Sequence, residues 1–286
     1  MSLPILKTYK FYVGGAFVRS ESGRYDVAVD GRGEHFANVC RGSRKDVRDA
    51  VLRARAAQAK WSEATPYLRG QVLYRMAEML EGRAEAFAQL LRRTSGSSAT
   101  ASKKEVRAAI DRIVHYAGWA DKFGAIVSTV NPVASAYFDF SLPEPTGVVG
   151  VTAPDRPALL GLISHVLPVI ATGNACVVVL AERDPIPGLE WAEVLATSDL
   201  PGGVVNLISG RREELVPHLA RHMDVNALSL AGLDPEVELA AMQDAAVNVK
   251  RVKAWHNLDY YAESAQGLDP MRPFLEIKTT WHPIGW

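Results

Sequence analysis

The stretch Gly147–Leu180 reads GVVGVTAPDRPALLGLISHVLPVIATGNACVVVL. Two short apolar segments, Gly147–Ala153 and Ala175–Leu180, lie on either side of a longer apolar segment, Ala158–Ala171, which Gly173 closes. Short β-branched segments that flank a helix-length segment predict two buried parallel strands joined by a helix. This unit predicts an α/β fold.

The same alternation of strand and helix continues toward the C-terminus. Strands are predicted at Val204–Ser209, Ala227–Ala231 and Arg251–Trp255, and helices at Leu189–Thr197, Glu213–His222 and Glu236–Val247. Repeated strand–helix units predict a doubly wound parallel sheet with helices on both faces. Ligands on such sheets bind at the carboxyl ends of the strands.

The two ends of the chain follow different patterns. The predicted elements are a hairpin at Lys10–Val18, a strand at Tyr25–Val29, helices at Arg44–Lys60, Leu68–Leu91 and Lys103–Phe123, a strand pair around Ala136–Leu142 and a strand at Phe274–Pro283. The last strand follows a short connection, residues 259–272, and stands alone in the sequence. An isolated terminal strand is marginally stable unless it pairs with another strand.

Composition and charge exclude several classes of protein. The 286 residues are 48% hydrophobic and 22% charged, and 32 basic residues balance 32 acidic ones. This balance predicts neither a nucleic-acid partner nor a membrane partner. The N-terminal residues show no secretory signal, so a cytoplasmic location is predicted. Two cysteines, Cys40 and Cys176, are too few for a disulfide framework or a cysteine metal cluster, and no metal site is predicted.

Six collinear segments resemble one known family. They are Phe11–Gly15, Tyr116–Lys122, Glu144–Gly150, Thr172–Asn174, Leu200–Asn206 and Phe274–Thr279. Together they are similar to aldehyde dehydrogenases, an oxidoreductase family. The resemblance implies a cofactor-binding type of domain over residues 1–258, with oligomerisation strands near 128–145. It also implies a linker at 259–272 in place of the catalytic domain, and a C-terminal oligomerisation strand at 273–286.

Most positions that the resemblance associates with chemistry carry other residues. Arg156 stands where the family has an asparagine that stabilises the oxyanion, Val179 replaces a ribose-binding lysine, and Trp255 replaces the general-base glutamate. The segment that carries the nucleophilic cysteine has no counterpart. Because nucleophile, base and oxyanion donor act together, no catalytic residue is assigned, and aldehyde oxidation by the family mechanism is not expected.

Three positions keep the residue that the resemblance associates with cofactor binding. They are Glu182 at the ribose, Gly210 in the turn after the third strand, and Gly232 at the helix start that meets the pyrophosphate. Leu233 follows Gly232 in place of a serine, and the acidic residues beyond it would repel a pyrophosphate. The three residues are either remnants of an NAD(P) site or structural.

The resemblance implies a role in assembly. The oligomerisation strands are kept, whereas the docking surface that a neighbouring subunit would use is missing. The leading hypothesis is a non-catalytic subunit that joins a full-length NAD(P)-dependent aldehyde dehydrogenase as a structural or regulatory partner, without a bound cofactor of its own. One alternative is a nucleotide or NAD(P)-binding module or sensor. Another is an enzyme with new chemistry around Asp155, Arg156 and His256.

Overall fold

The computed structural model describes residues 5–284, so residues 1–4 of the predicted first domain and 285–286 of the predicted last strand lie outside the described part. The strands are β1 (Lys7–Tyr9), β2 (Phe11–Val13), β3 (Ala16–Val18), β4 (Tyr25–Val29), β5 (His35–Cys40), β6 (Thr129–Asn131), β7 (Tyr137–Pro145), β8 (Val148–Thr152), β9 (Ala175–Val179), β10 (Val205–Ile208), β11 (Ala227–Ala231), β12 (Arg251–Trp255) and β13 (Leu275–Pro283). The helices are α1 (Arg44–Glu63), α2 (Pro66–Glu81), α3 (Ala84–Ser95), α4 (Ala99–Trp119), α5 (Phe123–Val127), α6 (Ala158–Ala171), α7 (Ile186–Ala196), α8 (Arg212–Arg221) and α9 (Pro235–Ala246).

The central sheet has seven strands in the order β12-β11-β8-β9-β10-β2-β3. The five strands from β12 to β10 are parallel, and the β2–β3 hairpin adds to β10 in antiparallel fashion. The first of the parallel strands in the chain is β8, which lies in the middle of these five strands. The chain adds β9 and β10 on one side of β8, and then returns to add β11 and β12 on the other side. The predicted doubly wound α/β fold is therefore confirmed. The order in which strands are added to the sheet reverses between β8 and β11, although the two strands are parallel.

Helices cover both faces of this sheet because its central strands are apolar on both sides. Every residue of β8, β9, β10 and β11 is buried. One hydrophobic cluster joins one face to α6, α7 and the α2–α4 layer, and a second joins the other face to α1, α8 and α9. All residues of α6 are buried, which explains why its sequence is apolar all round.

The helical layer corrects one prediction. The helix predicted over Leu68–Leu91 is two helices, because α2 ends at Glu81 and α3 begins at Ala84. The turn at Gly82 and Arg83 redirects the chain so that Leu80 and Phe87 both enter the core. The apolar spacing continues through this turn and hides it from sequence analysis. In residues 5–284 no helix is long and apolar enough to cross a membrane.

Two three-stranded sheets flank the central one. β1, β5 and β4 form the first, and only β4 of these three strands was predicted from the sequence. β13, β7 and β6 form the second. β13 pairs with β7 along its whole length, from Leu275 opposite Pro145 to Pro283 opposite Tyr137. The strand that stands alone in the sequence thus has a partner within the chain.

The connection at 259–272 is packed into the core. Its residues Tyr260, Ala265 and Met271 are buried. Arg112 of α4, itself 4% exposed, donates hydrogen bonds to the carbonyls of Tyr260 and Ala265, at 2.8 and 3.0 Å, and to the side chain of Gln266 at 3.0 Å. A buried guanidinium that binds backbone carbonyls fixes the connection against α4.

Candidate functional site

The carboxyl edge of the central sheet is where a doubly wound fold places a ligand. The crevice lies between β8 and β11, at the point where the strand order reverses. The loops that follow the strands bring Asp155, Glu182, Gly210 and Gly232 to this edge. The structure therefore gathers the three predicted cofactor positions at one edge of the sheet.

Arg212, the first residue of α8, fills the crevice. Its Nη1 donates to the carbonyl of Gly232 at 2.6 Å, and its Nη2 donates to the carbonyl of Ala153 at 2.6 Å. The same two nitrogens bind both carboxylate oxygens of Asp155, at 3.3 and 3.0 Å. All four terminal N–H groups thus have acceptors, and Nε alone has none among the described residues. The side chain bridges the ends of β8 and β11.

Glu182, which follows β9, is engaged by the same segment. One carboxylate oxygen accepts a hydrogen bond from the backbone N–H of Arg212 at 2.8 Å, and the other binds Arg211 Nη1 at 3.0 Å. The carboxylate therefore occupies the N-terminus of α8, where a helix otherwise favours a bound anion.

Gly210 and Gly232 have structural reasons to be glycine. Gly232 has φ +65°, and a Cβ there would lie 2.8 Å from Pro154 Cα. Gly210 has φ +151°, and its Cβ would lie 3.0 Å from the backbone nitrogen of Gly42. Backbone packing alone requires glycine at both positions.

Glu105 of α4 is a site residue that sequence analysis missed. Its Oε1 accepts hydrogen bonds from the backbone N–H groups of Leu159 and Leu160, at 2.8 and 3.3 Å, and so binds the N-terminus of α6. Burial raises the pKa of this carboxyl above its ordinary value, against the lowering effect of the two N–H donors. Glu105 precedes Leu159 by 54 residues, so no local pattern reveals the contact.

Asp184 is a second buried carboxyl at this edge. It accepts a hydrogen bond from the Thr94 hydroxyl at 2.8 Å and faces Arg156 Nη1 at 3.4 Å. Burial, with smaller contributions from the carboxylates of Glu105 and Asp155, outweighs the lowering effects of Thr94 and Arg156 and raises its pKa to about 6. The ionised form is therefore disfavoured in the folded protein.

Replacing Asp184 by asparagine is expected to change the pH dependence of stability. A carboxyl whose folded pKa is raised stabilises the fold fully below its unfolded pKa, and loses that contribution as the pH rises through about 6. As the pH rises from acidic to mildly basic values, the free energy of unfolding of the Asp184→Asn variant should increase relative to that of the wild type by on the order of 2 kcal/mol. Urea unfolding at a series of pH values measures this, with Asp269→Asn, whose side chain is 90% exposed, as the control. Parallel curves for wild type and Asp184→Asn would contradict the prediction.

The residues considered for new chemistry are engaged separately. Asp155 binds Arg212, Arg156 faces Asp184, and His256 lies 3.3 Å from a carboxylate oxygen of Glu238. The three residues contact three different partners, so no shared group could move a proton among them. The Trp255 indole, which the resemblance places where the family has its general base, donates to the Ser229 hydroxyl at 3.1 Å.

The residues at this edge do not fit a dinucleotide. The crevice at the strand reversal holds the Arg212 guanidinium, and Glu182 is bound by Arg211 and by the start of α8. The first turn of α9 carries Glu236 and Glu238, which would repel a pyrophosphate.

The two thiols offer no nucleophile. Cys176 lies fully buried on β9, where burial raises the pKa of its thiol. Cys40 is buried at the end of β5. Both thiols are buried, and the raised pKa of Cys176 keeps that group in its inert thiol form. Across residues 5–284 no three His, Cys, Asp or Glu side chains come close enough together to hold a metal ion.

Comparison with known proteins adds to this geometry. A sequence model described as the aldehyde dehydrogenase family matches residues 17–255. The protein DhaS of Bacillus subtilis strain 168 is 32% identical over 249 residues, covering 86% of this chain and 50% of that protein. Omega-crystallin of the squid Nototodarus sloanii is 30% identical over 257 residues, covering 87% of this chain and 50% of that protein.

The match to solved structures covers about the same share of this chain as the match to the sequence relatives. The NAD⁺ complex of aldehyde dehydrogenase from Bacillus cereus superposes with a TM-score of 0.82 at 26% identity, over 86% of this chain and 50% of that chain. The chain therefore spans about half the length of the relatives that it matches.

Proposed function

The chain belongs to the aldehyde dehydrogenase family, and from that premise we propose that it is a non-catalytic subunit. It assembles with a full-length NAD(P)-dependent aldehyde dehydrogenase as a structural or regulatory partner. The absence of a catalytic thiol from the candidate site supports the first half of the proposal. Two exposed apolar surfaces support the second half.

The observation that carries the proposal is the sheet formed by β13, β7 and β6, which exposes large apolar side chains on both faces. The register of β13 and β7 divides these side chains between the faces. Tyr137, Ile277 and Trp281 lie on one face, and Val130, Phe138 and Leu142 lie on the other. Trp281 is 56% exposed and stacks edge-on against Tyr137 at 5.8 Å between ring centroids. A small sheet with apolar faces in water favours a second protein that covers it.

A second apolar surface lies on α9 and the turn after it. Leu239 and Met242, three residues apart on α9, are exposed by 58% and 42%. Val247 and Val249 beyond the helix are exposed by 82% and 88%. Side chains at this spacing share one face of a helix. Apolar surfaces at two separate places support an assembly with more than one contact.

Native mass spectrometry of the tagged protein, purified from its own host, tests the proposal. We expect a stable complex with a full-length aldehyde dehydrogenase. A monomer or a homo-oligomer as the sole species would contradict the assignment. The complex would lie in the cytoplasm, where thiols such as Cys40 and Cys176 stay reduced.

The Trp281→Asp variant is expected to weaken the complex at least about tenfold, since a buried aromatic at an interface contributes more than 1 kcal/mol. The control is Tyr25→Asp, which places the same charge at an aromatic position of similar exposure on β4. Copurification of the partner with each variant measures the effect. Equal recovery with both variants would show that the β13–β7–β6 sheet is not the contact surface.

A further inference from the structure

We propose that the crevice at the carboxyl ends of β8 and β11 is closed from within by Arg212 and by carboxylates of the chain itself. In this state the crevice serves as a structural brace and takes no dinucleotide or other phosphate-bearing ligand. The inference does not depend on the partner proposal, since it concerns contacts within one chain.

The first support is the reach of Arg212. Its side chain binds the carbonyl that follows β8 and the carbonyl that follows β11. Its backbone N–H binds Glu182, which follows β9, and the residue itself follows β10. One residue thus joins the carboxyl ends of four adjacent strands. The crevice between β8 and β11, which a ligand would enter, contains its guanidinium.

The second support is the state of the helix N-termini at this edge. The N-terminus of a helix attracts phosphate because its first N–H groups lack partners. Glu105 binds the N–H groups at the start of α6, and Glu182 binds the first N–H of α8. The helix α9 has Asp234 at its N-cap and Glu236 in its first turn. Each of these three helix starts therefore already has a carboxyl group of the protein beside it.

A phosphate-bearing ligand would have to separate these contacts. Moving Arg212 aside would take this donor from the carbonyls of Ala153 and Gly232. It would leave the Asp155 carboxylate with Arg183 alone, whose backbone N–H donates to it at 3.3 Å. The ligand would bring its negative charge next to that carboxylate and next to Glu182. The internal contacts therefore oppose binding through both lost hydrogen bonds and like-charge repulsion.

Ligand titration of the purified full chain is the first test. NAD⁺, NADP⁺, ADP and inorganic pyrophosphate are each added at millimolar concentration, and the melting temperature is followed. We expect no rise for any of them, because a ligand that binds only the native state raises the melting temperature. A concentration-dependent rise, with amide chemical-shift changes confined to residues 153–156, 210–212 and 232–236, would overturn the inference. Such binding would leave the partner proposal intact.

Matched arginine variants are the second test. Arg212→Ala is expected to lower the melting temperature by about 5 °C or more, whereas Arg211→Ala should lower it by about 1 °C. Arg211 binds the same Glu182 but is half exposed. If Arg212→Ala does not fold, Arg212→Lys decides, because lysine keeps the charge and loses the two-pronged contact with Asp155. If Arg212→Lys lowers the melting temperature by no more than Arg211→Ala does, Arg212 is not a structural brace.

Discussion

Replacing Arg112 by methionine is expected to lower the free energy of unfolding by about 3 kcal/mol or more. The guanidinium is buried and donates to Ser164, Gln266 and the carbonyls of Tyr260 and Ala265. Methionine fills similar space but donates nothing, so the buried carbonyls of Tyr260 and Ala265 would lose their Arg112 donor. The Ser164 hydroxyl would keep only its bond to the Leu160 carbonyl, and the half-buried Gln266 side chain would lose a donor at the edge of the core. An unpaired buried acceptor costs about 1–3 kcal/mol, and the loss of the buried charge offsets part of that sum.

Urea unfolding measures this loss, and limited proteolysis locates it. Cleavage within 259–272 should become faster in the variant, because Arg112 is what fixes this connection to α4. Arg107→Met is the matched control, since Arg107 lies on the same helix with its side chain in solvent. A loss of stability equal to that of the control would show that the connection is held by its apolar residues alone.

Local patterns predicted the elements whose neighbours in sequence are also their neighbours in space. The strands β8 and β9 and the helix α6 were recognised because their burial on all sides leaves an uninterrupted apolar pattern. The break between α2 and α3 was missed since the apolar spacing continues across Gly82. The strand β5 was missed because its partners β1 and β4, and not its own alternation, define it.

The residues of the candidate site also divide into those that the sequence identified and those whose role depends on distant partners. Glu182, Gly210 and Gly232 were identified by their resemblance to a motif, whereas the role of Arg212 depends on partners far along the chain. Arg212 binds a carbonyl 59 residues before it and another 20 residues after it. The sequence places two arginines after β10 without indicating which one is buried. A buried arginine and a solvent-exposed one look alike until the strands are assembled.

The connection at 259–272 contributes to the burial of a histidine in the core. His165 of α6 lies against Trp255 and Tyr260, with its Nε2 at 2.8 Å from the Tyr260 hydroxyl. Burial, with a smaller contribution from the charge of Arg112, lowers the pKa of this histidine to about 3, so the ring is neutral. A neutral histidine between two aromatic rings is a packing residue, and the connection supplies one of those rings.

The purified chain is expected to oxidise aldehydes with NAD⁺ or NADP⁺ at least about 10⁴-fold more slowly than a full-length aldehyde dehydrogenase. Loss of a catalytic nucleophile alone lowers turnover by about this factor or more. Cys176 is fully buried and its thiol pKa is raised, so it forms no thiolate that an aldehyde could reach. Trp255 carries no group that accepts a proton, and its indole is already bonded to Ser229. Binding of the cofactor, the first requirement of the reaction, is opposed by Arg212 at the sheet edge.

Cofactor reduction, followed by absorbance with a panel of aliphatic and aromatic aldehydes, measures this rate. Cys40→Ser and Cys176→Ser variants are the controls that separate contamination from catalysis. Any residual rate should be the same in the wild type and in both variants, because neither thiol takes part. A rate that disappears with Cys176→Ser and not with Cys40→Ser would establish that the buried thiol reaches substrate, and would overturn the non-catalytic assignment. Addition of the copurified partner should restore activity through the active site of the partner, since this chain contributes no reacting group.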